Sequence, residues 1–112
     1  MHNDLIYLKH ILDCINDIEA FVLDFTEDAF IQDKKTFNSS IRMFEIIGEA
    51  TKRLSTDLKT KNNHIQWKEI AGLRDVLIHD YQGVDLPAVW KIIQNDIPTL
   101  KINIELIIKT LN

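Results

Sequence analysis

Apolar residues step along the chain in threes and fours from its first turn: Leu5, Leu8, Leu12, Ile15, Ile18, Val22 and Phe25. That spacing puts them on one stripe of a helix, and Asn3 or Asp4 can cap its start. Thr26-Glu27-Asp28 interrupts the pattern. A second stripe, Phe37, Ile41, Phe44, Ile47 and Leu54, follows cap candidates between Asp33 and Thr36 and predicts a helix running to about Leu58. Lys59 to His64 is polar and aperiodic, a surface loop. Trp67, Ile70, Leu73 and Leu77 predict a third helix from Ile65 to about Tyr81, and Gln82-Gly83-Val84-Asp85 supplies a turn and an N-cap for a fourth. That last helix opens on Leu86-Pro87, where proline's missing N–H is harmless. Pro98 inside it predicts a kink or restart around Asn95 to Ile97, before Leu100, Ile104, Ile107 and Leu111 complete the stripe. No strand alternation competes with this reading. The expected fold is all-α, an antiparallel four-helix bundle with a kinked or broken last helix.

Composition narrows the picture. At 112 residues, 46% hydrophobic, the chain has the size of one domain, expected over residues 1–112. Three Gly and two Pro are too few for the tight turns of an all-β domain of this length. Cys14, the single cysteine, excludes an internal disulfide and a cysteine zinc site. Met1-His2-Asn3-Asp4 lacks the pattern of a signal peptide and no apolar run approaches a membrane span, so a cytoplasmic location away from membranes is expected. The formal charge of -4 has the wrong sign for a protein that grips nucleic acid through a broad basic face. Any nucleic-acid site must be local.

Two groups of polar residues stand out. Arg74, His79 and Tyr81 fall within eight positions at a helix-to-turn junction. Each has a structural reading: an Arg paired with a surface carboxylate, a His at a helix C-terminus, a Tyr closing the core. On the second helix, Arg42, Glu45 and Glu49 at i, i+3 and i+7 form a polar row beside Gly48. Such rows are commonly intrahelical ion pairs. A glycine within Phe44-Glu45-Ile46-Ile47-Gly48-Glu49-Ala50 costs about 1 kcal/mol of helix propensity against Ala, so a close approach of backbone or ligand is expected there. His2, His10 and His64 share no ligand spacing with carboxylates, so no metal site is expected.

Arg74, four residues, His79, one residue and Tyr81 resemble the Arg-X4-His-X-Tyr motif of the HepT-like toxins of the HEPN superfamily. Arg42 through Ala50 resembles the second-helix signature of that family, and Ile65-Gln-Trp-Lys-Glu-Ile-Ala-Gly-Leu-Arg resembles the approach to its motif. The likeness extends from about Lys34 to Leu100. It implies a metal-independent ribonuclease toxin without a cofactor, homodimeric, with Arg74 and His79 as the catalytic pair of a shared cleft. It also implies a type VII-like toxin-antitoxin pair, in which an MntA-type minimal nucleotidyltransferase antitoxin silences the toxin by transferring AMP to Tyr81. Asp75 stands where the family commonly has Asn, and a carboxylate there can pair with Arg74 and weaken its hold on phosphate. Glu45, Glu49 and Arg42 are supporting candidates that can orient the pair across the bundle.

The residue types suit RNA cleavage. RNA carries its own nucleophile, the 2′-hydroxyl, so His79 can transfer protons near neutral pH while the Arg74 fork holds phosphate oxygens. Five residues of regular helix turn a side chain by about 140°, so in an unbroken helix Arg74 and His79 would not share a face. Either the helix distorts near Ile78 or two chains build one site. A HEPN-like module that binds a nucleotide or partner without cleavage is the alternative, and a helical assembly domain a third.

Overall fold

A computed structural model describes residues 3–73, 75, 78–79 and 83–111, with backbone alone at 78–79. Helix α1 spans Asp4–Phe21, α2 Glu27–Gln32, α3 Lys34–Lys52, α4 Thr56–Lys61, α5 Trp67–Ala71 and α6 Leu86–Leu111. Between α5 and α6, β1 (Ile78–His79) pairs antiparallel with β2 (Gly83–Val84). The all-α fold is the one expected from the stripes.

Helix α1 packs against both α3 and α6. Its buried arc is therefore wider than one stripe: Ile11 and Cys14 join Leu8, Ile15 and Ile18 in the core, while Leu5 and Leu12 are half-buried. Phe44 and Ile47 from α3 and Ile97 and Ile104 from α6 close that core with no exposed surface or almost none. Two polar side chains on the buried face of α3 satisfy themselves locally. Ser40 donates to the Thr36 carbonyl at 2.9 Å and Thr51 to the Ile47 carbonyl at 2.8 Å. Lys101 on α6 donates to Glu19 on α1 at 2.7 Å. Short α2 sits against α3 and α6, with the Phe30 ring tilted against Trp90, their centroids 5.3 Å apart.

The caps explain where the chain departs from the expected boundaries. Asp33 accepts from Thr36 N–H at 3.0 Å, as its position suggested, and Asp85 accepts from Ala88 N–H at 3.1 Å to open α6. Thr26, read as part of an interruption, is instead the cap of α2. Neither Asn3 nor Asp4 caps α1 with its side chain. Asp4 lies inside the helix, buried, and its carboxylate accepts from Ser55 N–H at 2.8 Å and Ser55 hydroxyl at 2.6 Å. Ser55 in turn caps α4 by accepting from Leu58 N–H at 3.2 Å. The expected helix to Leu58 is thus split, with α3 ending at Lys52 and the Lys59 to His64 loop partly absorbed into α4. Leu54 and Leu58 remain buried, so the apolar spacing is kept although the backbone leaves the helix from Arg53 to Ser55.

The third and fourth segments also differ from expectation. Helix α5 ends at Ala71, and the chain is extended at Ile78 and His79, so the regular helix does not run to Tyr81. Helix α6 passes through Pro98 without a break or restart. Pro98 faces solvent, where water can take the carbonyl of Gln94 that the missing N–H leaves unpaired, while Ile97 and Leu100 beside it hold the core. A proline within a helix costs about 3 kcal/mol, offset by up to about 1 kcal/mol from its stiffening of the unfolded chain. Pro98→Ala is therefore expected to stabilise the fold by about 2 kcal/mol, read as a higher denaturant midpoint at unchanged slope.

Candidate functional site

The site is built on the contact between α3 and α5. At Gly48 a Cβ atom would stand 2.8 Å from the carbonyl oxygen of Ala71, closer than side-chain carbons approach. The glycine lets the last turn of α5 lie directly on α3, which is the close backbone approach that its place in an apolar-rich helix called for. Trp67 anchors the other end of α5. It is buried, and its indole N–H donates to the Asn62 carbonyl at 3.1 Å. Gly72 N–H then closes α5 on the Lys68 carbonyl at 3.1 Å, and Asp75 N–H donates to the Gly72 carbonyl at 3.0 Å. A short backbone path therefore leads from a fixed point on α3 to the motif.

Beside this contact lies a groove of about 210 Å³ walled by Arg42, Glu45, Glu49, Lys52 and Asp75, with Gly48 and Ala71 among its lining residues. All four supporting residues picked from the sequence meet here. Arg42 pairs with Glu45 at 3.6 Å and Lys52 with Glu49 at 3.8 Å, so the intrahelical ion pairs are real and also face a common cavity. Lys52 was missed. It continues the same row, three residues after Glu49 and ten after Arg42, and the periodicity that found the others could have found it. On the other side, Leu73 helps line a cleft of about 300 Å³ with Ile65, Ile70, Ile97 and Leu100. The residues flanking position 74 thus line different cavities.

Arg74 and Tyr81 lie outside the described residues, as does the His79 side chain. The His79 backbone is placed: it pairs with Gly83, whose φ of 82° is a conformation that side-chain-bearing residues rarely adopt. Because the chain is extended at Ile78 and His79, the 140° separation of an unbroken helix does not apply. That geometric reason for a site shared between two chains falls away. Cys14 is no nucleophile. Burial, then the nearby Asp17 and Asp13 carboxylates, push its thiol up to about 11, against a smaller downward pull from Arg42. No described helix is long and apolar enough to cross a membrane.

The family model for "Ribonuclease HepT-like" proteins matches residues 11–107. The chain belongs to the HepT-like family. It is 45% identical over 100 residues, 89% of each chain, to a protein of Thermococcus cleftensis named "Probable ribonuclease HepT". It is 39% identical over 101 residues to "Putative RNase MJ1380" of Methanocaldococcus jannaschii, covering 90% of this chain and 93% of that one. A third relative, "Gamma-glutamylcyclotransferase and putative RNase MJ0434" of the same organism, is 50% identical over 96 residues, 86% of this chain. The chain spans 43% of that protein's length. No solved structure gives a significant match.

In this HepT-like chain the Gly48 contact holds the end of α5 on α3, three residues before Arg74 in sequence. Gly48→Ala must push the Ala71 carbonyl off α3 and is expected to cost about 1–3 kcal/mol, measurable by denaturant unfolding, despite the better helix propensity of alanine.

Proposed function

We propose that the chain is a metal-independent endoribonuclease whose working pair is Arg74 and His79. The observation that carries this reading is the Arg74-X4-His79-X-Tyr81 sequence, standing intact in a member of a family described as ribonucleases. His79 takes the proton of a ribose 2′-hydroxyl. The freed oxygen attacks the adjacent phosphorus, the Arg74 guanidinium holds the charge that gathers on the phosphoryl oxygens, and the 5′-oxygen leaves with a proton returned by an imidazolium. The products are a 2′,3′-cyclic phosphate and a 5′-hydroxyl. Each step uses only the imidazole, the guanidinium and the RNA itself.

In this proposal the enzyme is a homodimer in which two Arg74-His79 pairs face one cleft, so a chain of net charge -4 gathers a local positive site. It is a toxin in the cytoplasm, partnered by an MntA-type nucleotidyltransferase antitoxin. That partner moves AMP from ATP to the Tyr81 hydroxyl with release of pyrophosphate. A bulky anion two residues from His79 would then block RNA by volume and charge.

Cleavage of an RNA oligonucleotide in EDTA tests the reading. Wild type is expected to cut and to leave cyclic-phosphate ends, while His79→Ala loses at least about a hundredfold in rate, the usual worth of a positioned acid-base group. Equal rates for the two proteins, or cleavage restored only by added metal, would overturn it.

A further inference from the structure

The groove on α3 is more than a place where two ion pairs lie side by side. Arg42, Glu45, Glu49 and Lys52 fall within an arc of about 80° on the helix; the two cationic residues are set about 15 Å apart along its axis, and each side chain turns inward to its carboxylate. Their signs run plus, minus, minus, plus. Asp75 lines the groove with them and follows Arg74 in sequence. The groove's volume of about 210 Å³ is below that of a site for a whole drug-sized ligand and suits one planar ring. At Gly48 the Ala71 carbonyl rests on α3 and closes the groove floor with backbone. Both ion pairs are longer than a hydrogen bond, and Lys52 and Glu49 have side chains 57% and 68% exposed. Such exposed pairs hold weakly and can exchange partners.

We infer that this groove is a nucleoside subsite next to the scissile bond, in which Arg42 and Lys52 hold successive phosphates and Glu49 reads the base between them. The inference rests on the ribonuclease reading for which bond lies beyond the groove. It goes further in naming the base. A carboxylate offers two acceptor oxygens and no donor. Among the four RNA bases, guanine presents two adjacent donors on its Watson–Crick edge, N1–H and the N2 amino group, and can meet both oxygens at once. Adenine and cytosine each offer one donor beside an acceptor, and uracil one donor between two acceptors, so each brings a lone pair against the carboxylate. The subsite therefore favours guanine. The acidic wall also excludes a phosphate from the middle of the groove, which fixes the register of the strand.

Binding tests this apart from cleavage. Short 2′-O-methyl oligonucleotides, whose blocked hydroxyl cannot attack, are titrated against wild type, Glu49→Gln and Lys52→Ala by fluorescence anisotropy, with circular dichroism to verify folding. Wild type is expected to favour the guanine-bearing strand by at least about fivefold, the lower end for a bidentate base contact. Glu49→Gln should level the four bases. Lys52→Ala should weaken all of them alike and flatten the salt dependence, as loss of a phosphate contact does. Equal binding of the four bases by wild type, or a guanine preference that survives in Glu49→Gln, overturns the subsite even where the protein cleaves RNA. Guanine-selective binding by a protein that does not cleave upholds the subsite and removes the ribonuclease reading instead.

Discussion

The site depends on one contact between main chains: the Ala71 carbonyl resting where a side chain at position 48 would be. Helices normally meet through side chains at 8–10 Å between axes, which leaves their relative placement soft by the width of a rotamer. A carbonyl seated on bare backbone has no such play. The chain leaves that point at Ala71 and reaches Asp75 through the Gly72 turn, so the walls of the groove are set by bond geometry more than by side-chain packing. Trp67 guards the same arrangement from the other end, because its indole is both buried and hydrogen-bonded to the turn that precedes α5.

Local chemistry was legible in the sequence and long-range chemistry was not. Asp33 and Asp85 were readable as caps because an Asx cap acts on an N–H three residues away. The break after Lys52 was invisible, since Leu54 and Leu58 keep a helical spacing while Ser55, held by a carboxylate 51 positions earlier, turns the backbone out of the helix. Pro98 misled in the opposite sense. Its rule concerns a lost hydrogen bond, and whether that loss breaks a helix depends on whether the freed carbonyl meets water or core. At the site, the polar row on α3 and its glycine were both found from spacing; Asp75 was found as the neighbour of Arg74, and that it shares a groove with Arg42 was not legible, because no periodicity links the two. The extended backbone at His79 was also out of reach: two residues of strand carry no alternation to detect.

Charge is distributed in keeping with a site that is local. A chain with a formal charge of -4 cannot draw RNA to its whole surface. Within the groove, cations at both ends of a short acidic stretch are felt at close range and largely offset at a distance. The buried Asp4 shows the same economy elsewhere. A carboxylate in the core would be costly alone, but two donors from one serine satisfy it and join the start of α1 to the start of α4.

Cys14 gives the protein a built-in clock. It is the single thiol of the chain and sits buried on α1, the helix that touches both α3 and α6. A labelling reagent reaches that sulfur when α1 lifts away, so the alkylation rate times the opening of the central core. Loosening confined to the segment around the motif would leave that rate untouched. One atom can therefore tell fraying at the functional edge from separation of the whole bundle.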